Sequence, residues 1–207
     1  MAWFLQQTQT ACPFYRRGGD YDTARRQKED GAMEVKELVD LYDENRIPLG
    51  KTAERQGQKG PGEYRMVVHV CLFDSRGRLL IQQRTAEKHI WPGLWDVSVG
   101  GGVDAGETSR QGAEREFREE LGVSLDLGGR RPSVTVNFEG GFDDFFIVTM
   151  DLKPEELICQ KEEVAAVRYA GLDEVLDMVD GGSFIPYPKS FLRFLFDMRH
   201  QFGFPTQ

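Results

Sequence analysis

The amino-acid sequence predicts an α/β protein of one moderate-sized domain, and three observations carry that prediction. Short β-branched and apolar runs recur along the chain, separated by turn-forming clusters. Among them lies one capped, amphipathic segment at 108–121. Near the C-terminus, Phe191, Leu192, Leu195 and Phe196 recur at helical spacing. At 207 residues the chain is long enough to bury a real core, and its 40% hydrophobic and 29% charged content suits a globular protein in water.

The elements follow in order. Residues 1–32 mix Trp3, Phe4 and Phe14 with polar runs, Gly18-Gly19 and RRQKED, and show no clear period. They are expected to be an ill-ordered extension or to precede the true translation start, so that Met33 opens the folded domain, 33–207. ELVDLY and the stretch 47–52 flank the turn-like DENR and predict two short strands. A polar loop runs from Thr52 to Gly62. MVVHVCLFD, the turn SRGR and LLIQQR then predict a hairpin, and His69 within it suits a hydrogen-bonded sheet residue. Thr85–Gly93 is a loop, WDVSV a single strand running into Gly100-Gly101-Gly102, and 108–121 the main helix. SVTVNF and FFIVTMDL are strands separated by a turn over EGGFDD, VAAVRY another strand, and Leu172–Val179 a helix with Asp173 and Glu174 in its first turn. A last helix covers Ser190–His200.

Charge and cysteine content narrow the function. A formal net charge of −8 argues against a general nucleic-acid binder, which carries a basic stripe, but admits a small phosphorylated substrate. Cys12, Cys71 and Cys159 are scattered and odd in number, as suits a reducing compartment. No run approaches the ~20 apolar residues of a membrane span, and Ala2–Leu5 is too short for a signal core, so no membrane partner and a cytoplasmic location are expected.

The chemistry concentrates in GGVDAGETSRQGAEREFREELGV, residues 101–123. Thr108 suits an N-cap with Gln111 at capping-box spacing, and Gly122 suits the C′ stop. Ala113, Phe117 and Leu121 share the face to be buried, and Glu116, Glu119 and Glu120 line its edge. Like charges at i, i+4 destabilise a bare helix, whereas hard divalent cations bind such carboxylates together with substrate phosphates. An acidic helix of this kind, taken alone, reads more readily as a solvated face than as a metal site.

The spacing around the helix decides between these. Gly101-x5-Glu107-x7-Arg115-Glu116-Phe117-x-Glu119-Glu120-x-Gly122-Val123 resembles the Nudix box at every fixed position. Identities this many at fixed spacing arise by chance with a probability on the order of 10⁻⁹. The resemblance implies the Nudix fold, an α/β/α sandwich around a mixed β-sheet, and hydrolysis of a diphosphate bond in a nucleoside diphosphate linked to another group or in a similar organic diphosphate. It implies Mg²⁺, with Mn²⁺ as a substitute, held by Glu116, Glu119 and Glu120. By matching positions, Glu119, Glu116 or a glutamate from a later loop such as Glu163 activates water, and Arg115 orients a box carboxylate. Gly101, Gly106, Glu107 and Gly122 shape the loop.

Beyond the box, VDLYDENRIPLG, VVHVCLFDSRGRLLIQQR and WPGLWDVSVGGG resemble the Nudix branch related to isopentenyl-diphosphate isomerase. That makes the isomerase the alternative activity. The isomerases place a catalytic cysteine where this chain has Gly100, a metal-binding histidine at Gly102 and another near Arg65, and none of the three cysteines falls in that segment. A non-catalytic nucleotide-sensing Nudix module is a further alternative, opposed by the complete box. Arg65, Arg84, Lys88 and Trp91 are candidates for contacting substrate, as are Tyr64 and Gln83; Trp95 and Phe142 suit either the core or a stacked base, and Glu162 accompanies Glu163 as a later-loop acid. The expected partner is a small nucleotide or organic diphosphate, bound by a monomer or homodimer.

Overall fold

In the computed structural model, which describes residues 37–201, the first apolar runs form the expected hairpin. Strand β1 (Leu38–Tyr42) pairs antiparallel with β2 (Pro48–Glu54), Leu38 opposite Glu54. The expectation for residues 1–32 lies outside the described residues. In the turn between the strands Arg46 adopts φ 63°, and the Asp43 carboxylate accepts from the Asn45 and Ile47 amides at 2.9 Å each.

The second expected hairpin opens as soon as it begins. Asp74 closes the turn between β3 (Arg65–Phe73) and β4 (Leu79–Arg84), accepting from the Arg76 and Arg78 amides at 3.0 and 2.8 Å. Only Phe73 and Leu79 then face each other, so the two strands diverge. WDVSV, expected as one strand, splits to follow them. Strand β5 (Trp95–Asp96) pairs with β4, and β6 (Val99–Gly102) pairs antiparallel with β3. Ser98 makes the crossing possible: its hydroxyl accepts from the Leu72 amide at 2.8 Å and donates to the Leu80 carbonyl at 2.6 Å. Two buried backbone groups on diverging strands thereby find a partner.

After the box helix α1 (Ser109–Leu121), β7 (Val134–Phe138) and β8 (Gly141–Thr149) form an antiparallel pair. The turn expected over EGGFDD shrinks to Glu139-Gly140. Its two aspartates belong to the strand and point to opposite faces, where each meets a cationic partner instead of solvent. Gly141 must be glycine there, because a Cβ would fall 1.8 Å from the Arg65 carbonyl oxygen. Strand β8 runs parallel to β3 along its whole length, and β9 (Val164–Ala170) pairs antiparallel with β4. The sheet is therefore mixed.

Alternation along β3 and β8 builds two apolar layers. Val68, Val70 and Leu72 with Phe142 and Phe146 pack against Ala113, Phe117 and Leu121 of α1. Cys71 and Phe73 with Phe145 and Ile147 pack on the other side beneath α2 (Leu172–Asp180) and α3 (Lys189–Asp197). The result is an α/β/α sandwich around a mixed sheet. Truncating Phe117, which is fully buried, to alanine costs about 3–5 kcal/mol on this packing. On the α2–α3 side the apolar rows end at His69 and Asp143, and the same faces of β3 and β8 continue as polar lining of a pocket. Among the described residues no helix is long and apolar enough to cross a membrane.

Candidate active site

The box helix is fixed at both ends by its own sequence. Gln111 donates its amide to the Thr108 hydroxyl, and the Gln111 side chain accepts from the Thr108 amide at 2.9 Å. Gly122 at φ 70° ends the helix, its N–H donating to the Arg118 carbonyl. Ahead of the helix, Gly106 donates its amide to Asp40 at 2.8 Å, and Glu107 accepts from the Asp104 amide at 3.1 Å.

Arg115 ties these parts together. It donates from Nε to Glu107 Oε1 at 2.9 Å, from Nη1 to Glu116 Oε1 and Glu119 Oε2 at 3.0 Å each, and from Nη2 to the Gly102 carbonyl at 2.9 Å. Burial works against its charge, but the bonds to Glu107 and Glu116 outweigh that and raise its pKa above the usual arginine value.

The three box glutamates lie in different surroundings. Glu116 and Glu120 are buried, whereas the Glu119 side chain is 46% exposed and held by Arg115. The Glu116 carboxyl rests on Gly101, where a Cβ would lie 2.1 Å from its carboxyl carbon, so only glycine leaves it room. Glu120 Oε2 accepts from Gln82 Nε2 at 2.9 Å, and the Gln82 side-chain oxygen is itself buried without a partner among the described residues. The divergence of β3 and β4 thus admits both acids, one against β6 and one against β4. Burial raises the Glu116 pKa, and burial together with the nearby Glu116 raises that of Glu120 to about 8. Among the described residues no three ligating side chains form a ready-made metal cage: Glu116 and Glu119 share Arg115, and Glu120 takes Gln82.

Gly100–Gly102 also floor a pocket of about 550 Å³. Arg65, Arg84, Lys88, Trp91 and Glu163 all line it, so residues scattered over a hundred positions meet around one space. Glu163 is ion-paired to Lys88, whose pKa is lowered first by burial and then by Arg84. Trp91 is exposed at φ 52°, a strained conformation for a bulky residue. Arg55 joins the lining through an ion pair with Glu37 at 2.7 Å. Of the weaker candidates, Glu162 lines the pocket, Gln83 donates to the Gly93 carbonyl at 3.0 Å, Phe142 is core, and Trp95 packs beneath Arg168. Tyr64 packs against the core beside Phe142, 5.8 Å between ring centroids.

Sequence reasoning missed a second polar group in this pocket: His69, Asp96, Asp143 and Tyr187. His69 is a sheet residue as expected, but its ring faces the pocket wall and donates from Nδ1 to Asp143 Oδ1 at 2.7 Å. The available signal was a pair of acids inside an apolar run, Asp143-Asp144, which the turn-rich composition around them masked.

Comparison with known proteins agrees with this geometry. A family model described as the NUDIX domain matches residues 63–188. An uncharacterized Nudix hydrolase of Listeria monocytogenes is 45% identical over 161 residues, 78% of this chain and 94% of the relative. A protein named isopentenyl-diphosphate Delta-isomerase in Streptomyces coelicolor is 33% identical over 68% of this chain and 74% of its own. The crystal structure of DR0079 from Deinococcus radiodurans superposes with a TM-score of 0.63 at 25% identity, covering 77% of this chain and 99% of that one. By the match of the family model and by relatives alike over most of their length, the chain belongs to the Nudix hydrolase family.

Proposed function

We propose that the protein is a Mg²⁺-dependent hydrolase of the diphosphate bond in a nucleoside diphosphate linked to a second group, or in a similar organic diphosphate. One observation carries the reading: two buried carboxylates, Glu116 against the glycine floor at Gly101 and Glu120 one turn further along the helix within the field of Lys88, stand at a pocket lined by Arg55, Arg65, Arg84 and Lys88.

The donor set fits a hard divalent cation. Both acids are oxygen donors with pKa values raised by burial, a charge imbalance that a cation relieves, and glycine at 101 leaves space against one of them. Glu116, Glu120 and the more exposed Glu119 would hold Mg²⁺, with Mn²⁺ as a substitute. When bound, the ion supplies neutralisation of phosphoryl charge and a more acidic water. Arg115 sets the orientation of Glu116 and Glu119 through its paired N–H groups. Arg65, Arg84 and Lys88 bind the phosphoryl oxygens and fix the bond in line for attack. Glu119, the box acid with an open side, takes the proton from the attacking water, and Glu163 is the second candidate for that role. Turnover in Glu119→Gln should fall at least ~100-fold with the fold intact, as measured by phosphate release with Mg²⁺ and a panel of diphosphates. Near-normal turnover removes Glu119 from the mechanism.

The isomerase named among the relatives is the competing activity. Against it stands Gly100, where a Cβ would lie 2.5 Å from the His69 ring, so the ring fills the space that a side chain at that position needs. Isopentenyl diphosphate belongs in the panel, and its conversion to dimethylallyl diphosphate without hydrolysis would overturn the hydrolase reading. A purely sensing module is opposed by the intact carboxylate set and predicts binding without phosphate release.

A further inference from the structure

The pocket contains a polar array that the reaction above does not use. His69 on β3, Asp143 on β8, Asp96 on β5 and Tyr187 between α2 and α3 line it together. The His69 ring stacks on Phe145, centroids 4.8 Å apart, and bonds Asp143 Oδ1. A carboxylate only accepts, so Nδ1 carries the proton, and Nε2 on the opposite edge of the ring faces the Tyr187 hydroxyl at the long distance of 3.5 Å. Tyr187 donates to Asp96 Oδ1 at 2.9 Å, and its oxygen lies 3.5 Å from His69 Nε2. Asp96 is held further by the Val97 amide at 2.8 Å and by Arg84 at 3.7 Å.

Each member is therefore fixed in orientation, and the array still has bonding capacity. Asp143 Oδ2 accepts no hydrogen bond among the described residues, and the Tyr187 oxygen, which donates to Asp96 and meets His69 Nε2 at 3.5 Å, keeps a second lone pair. An apolar ligand group pressed here would cover these atoms without satisfying them, at a desolvation penalty for each. A hydroxyl does the reverse: it donates to Asp143 and accepts from the His69 edge. Burial alone would lower the His69 pKa, but Asp143 outweighs it and raises the value to about 9, which keeps Nε2 a donor at neutral pH.

We propose that His69, Asp96, Asp143 and Tyr187 form a subsite for a hydroxylated, sugar-like group carried next to the diphosphate, and that they exclude prenyl-like groups. The inference rests on the diphosphate-hydrolase reading. It makes the pocket bipolar in function: arginines and a lysine take the phosphates, and aspartates with a histidine and a tyrosine take the hydroxyls.

The test compares ribose 5-diphosphate with isopentenyl diphosphate, both five-carbon monoesters of diphosphate that differ in the hydroxyls. Wild-type protein should favour the sugar by roughly 100-fold or more in kcat/KM, since a site built to bond hydroxyls rejects analogues lacking them. In Asp143→Asn and in Tyr187→Phe that ratio should fall at least ~10-fold, with the loss in KM for the sugar. Tyr187→Phe keeps the ring against Phe184 and Phe191, so it decides alone if Asp143→Asn melts early. A wild-type ratio near one, or a ratio unmoved in the folded variants, overturns the subsite. If neither compound is hydrolysed, the reaction class fails instead, and the same ratio read as Kd by calorimetry with Ca²⁺ in place of Mg²⁺ still decides the subsite.

Discussion

Asp144 and Glu120 lie almost equally deep, 0% and 3% exposed, yet their surroundings differ in kind. Asp144 receives both terminal nitrogens of Arg46, at 3.0 and 2.7 Å, and the Thr135 hydroxyl at 2.6 Å. Arginine keeps its charge at any pH the fold meets, so this acid is permanently balanced. Glu120 has a neutral amide from Gln82 and a second carboxylate, Glu116, one helical turn away. The first acid is a closed pair that pins the β1–β2 turn to the sheet, and it offsets the strain of Arg46 at positive φ. The second is an incomplete set that stability alone does not account for. Completeness of partners, and not depth, separates the acid that serves the fold from the acid proposed to serve a ligand.

The largest effect that could break this contrast is on stability. Arg46→Met leaves Asp144 buried and uncompensated, and should cost about 3 kcal/mol or more in urea denaturation. Turnover per folded molecule should change little. A loss below about 1 kcal/mol would make Asp144 as tolerant as Glu120 and dissolve the distinction. Glu120→Gln should do the opposite: unfolding at neutral pH no easier than in wild type, with Mg²⁺-dependent turnover down on the order of 100-fold. A destabilised Glu120→Gln would mean that the Gln82 bond matters more to the fold than the charge does to the site.

Proton linkage sharpens the same contrast at a smaller scale. The Glu120 pKa is raised from 4.5 to about 8, so across that window the folded metal-free protein holds a proton that the unfolded chain has released. Stability should therefore decline as pH rises from about 4.5 towards 8, with a slope of up to ~1.4 kcal/mol per pH unit from this one group. Melting in chelator across that range measures it. The slope should shrink in Glu120→Gln; an unchanged slope would assign the proton to another group.

The sequence made one of these acids legible and hid the other. Glu120 stands in a helix whose cap pair Thr108 and Gln111, apolar face and stop at Gly122 are all local features, readable from neighbours a turn apart. Asp144 depends on Arg46, 98 positions away, and no local pattern joins DENR to FDDFF. The same reason explains the strands. The composition of β3 and β4 gave their existence correctly, but pairing is a long-range property, and a single facing pair at Phe73 and Leu79 looks in sequence like a full hairpin. Ser98, which bridges the divergence, is only one serine in WDVSV until the two strands on either side of it are known.

Asp143 falls between the two extremes, because its partner can give up its charge. His69 is raised from 6.5 to about 9, since Asp143 overcomes the lowering effect of burial, with Asp96 and Glu120 adding to it. A histidine whose folded pKa is raised contributes stability that is fully present below about 6.5 and is lost as pH rises through 9. In an NMR titration the His69 ring should remain protonated well above pH 7.5, and in Asp143→Asn its pKa should drop by at least ~1 unit. A His69 that titrates near 6.5 in wild type would mean that Asp143 faces open water and not the ring. The middle case of the series would then vanish, leaving a closed pair and an open acid with nothing between them. If His69 holds its proton, the pocket keeps a cation whose strength follows pH, next to arginines whose strength does not.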